Sequence, residues 1–400
     1  MKYFLNLFFL IIISTPACIE PFEPEVATYD STLVVDALFS DDDKPSRVTL
    51  SRSFPYSEDK ATLVEGARVL IEEEGGPSST LNESQPGIYQ NDPAQFRGEA
   101  GKRYRLLIQT PDGNRFESAW ELMKSAPAIE DVYFEVKSRI PDDPNLNPVK
   151  GLQFYLNTTD AENNTKYYRW EFEETWKYLL QFPEHIRADF GDGPGGGDDQ
   201  IIDIPFDEFE GSECWKTVQS TQLFIATTEN LTEDIIKDLP LHFIDNSTSR
   251  MYIRYSLLVK QYALSENYYE FLRKIVESNQ ATGSLFDPIP NEIFGNIRSA
   301  DGKDIPVLGY FGVAGVRSQR IFVNREDLPR GFGAPFGPRC TNDTIDLDFQ
   351  TLYTRIRPEQ ITLHDYNRNL FGNIIGYILT EIPCARCAVL EATNEKPDFW

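Results

Sequence analysis

The chain has 400 residues, enough to bury a sizeable core in two or three domains, and its 63 acidic and 38 basic residues leave a formal net charge of −25. That excess argues against a nucleic-acid or anionic-lipid surface as partner, because like charges repel across the contact. With 19 Tyr, 27 Phe and 5 Trp beside few long helical periodicities, the composition favours strands, and five cysteines leave one over after pairing.

The amino terminus has one positive residue, Lys2, then a run from Tyr3 to Ile13 that is apolar except for Asn6. It is too short to span a bilayer and has the layout of a secretory signal over residues 1–17. Ala17 directly before Cys18 resembles a lipobox, with Thr15 where a Leu is usual, so Cys18 is expected to become the acylated first residue. Removing Cys18 from the count leaves an even number of cysteines. Residues 18–31 then read as a tether, since Pro21 and Pro24 hold the chain extended and Glu20, Glu23 and Glu25 repel a membrane.

From Thr32 to Ser125, alternating segments recur at Leu33–Leu38, Arg47–Arg52, Ala67–Glu72, Gly87–Tyr89, Tyr104–Thr110 and Phe116–Ala119, the last two joined by the turn Pro111-Asp-Gly-Asn114. The pattern is that of an immunoglobulin-like β-sandwich. After Ala126-Pro-Ala128 a larger β-rich domain is expected over 126–400. Its strands begin with Val132–Lys137 and Leu152–Leu156, and Tyr168, Trp170 and Phe172 alternate with charged residues as one apolar face. Residues 181–213 lose the pattern and carry the run Asp189–Asp199, rich in Gly and Asp. Their spacing matches no EF-hand loop and lacks the Lys-Ser/Thr of a phosphate loop, so a flexible insertion without metal is expected. Gln222–Thr227 reads as a strand and Thr232–Lys237 as a short helix.

In Tyr252–Tyr262, Ile253, Tyr255, Leu257 and Val259 share one face of a half-buried strand. Ser265 follows as an N-cap, and Tyr268, Phe271, Leu272, Ile275 and Val276 recur at helical spacing, which predicts an amphipathic helix over 265–280. Further strands fall near Ile361–Leu363 and Ile374–Leu379.

The stretches Tyr255–Ser265, Gly283-Ser-Leu-Phe-Asp-Pro-Ile-Pro290, Gly295-Asn-Ile-Arg298 and Val307-Leu-Gly-Tyr-Phe-Gly-Val313 resemble a family of bacterial lipoproteins, domain of unknown function 4249. The resemblance runs from Leu33-Val-Val35 to Pro397-Asp-Phe-Trp400. It implies an outer-membrane lipoprotein facing the cell exterior, for which acids after the acylated cysteine act as the display signal. It also implies a TonB-dependent receptor as partner, since such receptors are often encoded beside family members. Asp30-Ser-Thr32 and Asp343-Thr-Ile345 resemble the short O-glycosylation signal of the bacteria carrying the family, with Ser31 and Thr344 as acceptors.

Catalytic patterns are sparse. No Gly-x-Ser-x-Gly, His-Glu-x-x-His or P-loop occurs, and His364-Asp365 is the best adjacent pair around the three histidines, though neighbours on a strand point to opposite faces. Cys384-x-x-Cys387 lacks a second pair for zinc and the helix N-terminus of a redox motif. In an exported protein, Cys214, Cys340, Cys384 and Cys387 are expected in two disulfides. Because a ring with two intervening residues is tight, Cys214 and Cys340 should each bond one member of the Cys384/Cys387 pair. No cofactor is expected. The expected role is binding an unknown ligand beside a transporter; a hydrolase with a dispersed carboxylate pair and an adhesin or structural envelope protein are the alternatives.

Overall fold

The computed structural model describes residues 31–54, 61–141, 145, 147–191, 199–205, 211–280, 293–333, 340–356 and 360–400. The signal segment, Cys18, most of the tether and the Gly283–Pro290 motif lie outside the described residues.

The fold is mainly β. Strands Leu33–Ser40, Arg47–Arg52 and Ile88–Gln90 face a second sheet built on Arg68–Glu73, Arg103–Gln109 and Arg115–Ser118, with alternate side chains buried between them. Phe39 fills the middle, its ring 5.5 Å from Phe96 and 4.9 Å from Tyr104. This sandwich is not closed by residues 32–125 alone. Ile297–Ser299 pairs with Arg115–Ser118, and the first half of the 18-residue strand Val307–Asn324 runs parallel to Leu33–Ser40. Ile297, Val307, Phe311 and Val313 belong to the same core, so the sheet pairing crosses the expected boundary at 125.

The second half of Val307–Asn324 pairs antiparallel with Arg254–Ala263, which in turn pairs with Tyr167–Leu179, and the result is one ten-stranded sheet shared by both parts of the chain. Arg254–Ala263 was expected to be half-buried. It is buried on both faces at most positions, Ser256 and Gln261 included, because elements pack on either side. One face meets a three-stranded sheet of Ile129–Arg139, Val149–Thr159 and Ile235–Asp245, where Tyr168 and Trp170 are fully buried. The other carries α1 (Glu266–Gln280), capped by Ser265, whose Oγ accepts from the Tyr268 backbone N–H at 3.2 Å.

Three expectations need correction. The helix over Thr232–Lys237 does not form; Ile235 and Ile236 enter a strand opposite Thr159 and Thr158, and the buried Asp234 carboxylate accepts from Thr228 and Tyr168 hydroxyls at 2.6 and 2.9 Å. Tertiary pairing of two β-branched residues there overrides weak helical propensity. A second helix, α2 (Phe349–Ile356), is present, with Asp348 accepting from the Thr351 N–H at 2.9 Å. Within 181–213, Ile186–Asp189 and Gln200–Asp203 form a hairpin whose Ile186 is buried with Leu352, Leu363, Tyr377 and Leu379; residues 192–198 lie outside the described residues. That hairpin and α2 cover a C-terminal sheet of Asn342–Asp346, Ile374–Glu381 and Ile361–Arg368.

Cys214 is bonded to Cys387 and Cys340 to Cys384. The two members of the C-x-x-C motif therefore tie different parts of the chain to its C-terminal segment.

Candidate functional site

Four segments far apart in sequence meet around Glu121. It sits on the two-residue strand Glu121–Leu122, paired to Arg103–Gln109 and only 4% exposed. Its Oε2 accepts from the hydroxyl of Ser265, the α1 cap, at 2.8 Å. Its Oε1 accepts from the Tyr310 hydroxyl at 2.5 Å and from Asn296 Nδ2 at 3.2 Å. Asn296 is fixed in turn by Phe311, accepting from its N–H at 2.9 Å and donating to its carbonyl at 3.0 Å, as a strand neighbour would. Two glycines make that approach feasible. A Cβ on Gly295 would stand 1.7 Å from the Gly309 carbonyl oxygen, and Gly309, at φ +98°, would collide with the Val35 carbonyl.

Helix α1 closes one side. The Tyr268 ring stacks on Tyr310 at 5.0 Å and Phe271 lies 4.9 Å from it. Burial first, and then the charge of Glu121, push the Tyr310 phenol far above its ordinary range, so it stays a hydrogen-bond donor at any ordinary pH. Above this floor opens a cleft of about 310 Å³, walled by Trp120, Phe271, Phe294 and Tyr310 and edged by Asn267, Glu270 and Lys274. Phe294 is 56% exposed, an unusual display for a ring beside a polar pocket.

On the ten-stranded sheet lies a second cleft of about 210 Å³, lined by Asp36, Asp42, Glu171, Lys44, Arg47, Arg169 and Lys260. Its charges are largely paired with one another. Lys260 Nζ donates to Asp42 at 2.5 Å, Arg169 is joined to Glu171 and donates to the Tyr268 hydroxyl at 3.1 Å, and the Tyr262 hydroxyl donates to Glu171 at 3.0 Å. Burial alone would raise the Asp42 carboxyl, but the bond and charge of Lys260 outweigh it and hold it below its usual range. Tyr268 thus contacts one lining residue of each cleft, its hydroxyl at Arg169 and its ring on Tyr310.

The residues singled out from sequence fall elsewhere. His364 Nδ1 lies 2.6 Å from the Pro183 carbonyl, and Asp365 accepts from the Tyr366 N–H at 2.6 Å, so this pair acts in local structure. Ser31 and Thr344 are exposed, the latter on an edge strand of the C-terminal sheet. Cys18 lies outside the described residues. Glu121 carried no sequence signal of its own, whereas Ser265, Gly295-Asn296 and Tyr310 all stand in the stretches that resemble the lipoprotein family. No group of His, Cys, Asp and Glu able to hold a metal ion is present among the described residues.

A mainly β protein with a buried carboxylate beneath an open aromatic cleft is the class that this fold and site define. The chain belongs to the family described as domain of unknown function DUF4249, which matches residues 19–320 and so contains Glu121 and the three residues bonded to it. No curated protein matches the chain. A solved structure, the collagen-binding domain of the Erysipelothrix rhusiopathiae surface protein RspB, aligns at 11% identity over 72% of this chain and 95% of that one; its TM-score of 0.09 carries no argument.

Proposed function

We propose that the protein is a surface-displayed lipoprotein, anchored in the outer membrane through acylated Cys18, that binds a small ligand in the Glu121 cleft as accessory partner of a TonB-dependent transporter. The observation that carries the binding role is the convergence of Ser265, Asn296 and Tyr310, all from the family's stretches, on one buried carboxylate below an accessible cleft. Ligand sites combine an apolar wall with a few fixed polar groups, and this cleft has both. Two disulfides suit a compartment outside the cytoplasm. The hydrolase alternative asks for two free carboxylates in one pocket. Glu270 does share the cleft with Glu121, but Arg273 engages both of its oxygens at 2.6 to 3.3 Å. The adhesin alternative draws on Leu370 and Phe371, 101% and 88% exposed at a hairpin tip.

Surface proteolysis of intact cells tests the display, with cleavage of the wild-type protein expected and full protection refuting it. Several acyl chains at about 0.8 kcal/mol per buried methylene hold such a chain on the membrane, so Cys18→Ser should release a folded protein and reduce its recovery with a transporter from solubilised membranes. Recovery unchanged by Cys18→Ser, or no transporter in the wild-type preparation, refutes the partnership.

A further inference from the structure

We propose that the Glu121 cleft takes an organic cation, an ammonium group carried on an apolar or aromatic body. This rests on the reading of the cleft as a ligand site and names the chemistry of what enters it. A carboxylate that is 4% exposed is ordinarily matched by a cation, because its charge has lost most of its water. Asp234, 3% exposed, is matched only by the Thr228 and Tyr168 hydroxyls but lines neither cleft, whereas Glu174, 4% exposed, follows that rule, held by Arg250 at 2.9 and 3.0 Å. Glu121 does not. Its partners among the described residues are a serine, a tyrosine and an asparagine, all neutral.

Three hydrogen bonds occupy three of the roughly four acceptor positions of a carboxylate, two of them on Oε1, so among the described residues one position on Oε2 has no donor. Lys274 edges the same cleft, and among the described residues no ion pair joins it to Glu121. The walls supply the second half of the recognition. Aromatic rings attract a cation through their quadrupole, and Trp120, Phe271, Phe294 and Tyr310 line the same cleft as the carboxylate. Trp120 already shows this affinity, with the Arg105 guanidinium 4.7 Å from its ring. The long-range field agrees, since a chain of net charge −25 draws cations toward any cleft. The other cleft contrasts: its four cations face three acids, two of them in ion pairs with Lys260 and Arg169, and its lining tyrosine, Tyr262, is only 5% exposed.

Titration calorimetry on the full mature chain in detergent tests the assignment with benzylamine, its neutral isostere benzyl alcohol, and methyl glucoside. Benzylamine is expected to bind at least tenfold more tightly than either neutral probe. Glu121→Gln should lose at least tenfold of that affinity, and Phe294→Ala, at a position 56% exposed, should lose several-fold. Lys274→Gln removes a competing charge and should tighten benzylamine binding while leaving benzyl alcohol unchanged. Benzyl alcohol or the glucoside binding as tightly as benzylamine, with the binding lost in Phe294→Ala, would overturn the cation assignment and leave the cleft as a ligand site. No heat with any of the three probes would overturn both.

Discussion

Glu174 offers the sharpest test of the internal electrostatics. It is 4% exposed between the large sheet and the strand Ile235–Asp245, accepts from Arg250 Nη1 at 2.9 and 3.0 Å and from the Tyr255 hydroxyl at 2.9 Å, and has His242 Nε2 3.0 Å from Oε2. Glu174→Gln keeps the volume and removes the charge. Breaking a buried pair costs about 3–5 kcal/mol. The Arg250 side chain, however, is 35% exposed and can regain water, and the glutamine oxygen still accepts one bond. A loss of roughly 2–3 kcal/mol is therefore expected, about 5 °C in melting temperature at about 2 °C per kcal/mol for a unit of this size. The pH dependence fixes the cause. Burial alone would raise the Glu174 carboxyl, but His242, Arg250 and Tyr255 outweigh it and hold its folded value below the ordinary one. A depressed carboxyl contributes stability that is complete above its unfolded value, near about 4.3, and is lost as pH falls through the folded value. Thermal melts of wild type and Glu174→Gln from pH 7 down to 3 should therefore converge in acid. Equal melting at pH 7, or a gap that persists undiminished at pH 3, would refute the reasoning.

Replacing Cys214 and Cys387 by Ser should cost more than replacing Cys340 and Cys384, because the closed loops span 173 and 44 residues; the chain-entropy relation gives about 5 and about 4 kcal/mol, and melts of the two double variants should rank in that order. Leu272→Asp, at a position 6% exposed, should abolish cooperative melting, whereas Ile275→Asp, on the half-buried shoulder of α1, should lower it by only about 2 kcal/mol. Intact-mass measurement on protein from the native host should show glycan on Ser31 and Thr344, both exposed; the bare acylated chain alone would reject this.

The elements that sequence made legible are those whose signal is local. Strands with one polar face, such as Arg103–Gln109, and the capped helix α1 stand where alternation and Ser265 put them. Thr232–Lys237 misled because a short, mostly polar run says nothing of Thr158 and Thr159, which recruit Ile235 and Ile236 into a sheet. The hairpin inside 181–213 was hidden for a related reason: four-residue strands flanking a glycine run are too short to show a period, and their burial depends on Leu363 and Tyr377, far along the chain.

The cleft was the least legible part, and topology explains why. Glu121 reads as one more acid in a chain with 63 of them, and its burial arises only when Val307–Asn324 crosses from the N-terminal sandwich to the central sheet. That one strand places Tyr310 over Glu121 and lets Phe311 hold Asn296, while its other half fixes Arg254–Ala263 and, at the end of that strand, Ser265. The family stretches at 255–265, 295–298 and 307–313 are thus three sides of a single enclosure. Ser265, Asn296 and Tyr310 stand 31 and 14 residues apart, a spacing that matches no site motif, yet each supplies one donor to the same carboxylate. Packing alone does not require three neutral donors on a buried charge, because an apolar residue of similar volume would fill the space at less cost. The retained charge, held by neutral donors at the lining of an aromatic cleft, is therefore the feature of this site that most directly calls for a ligand.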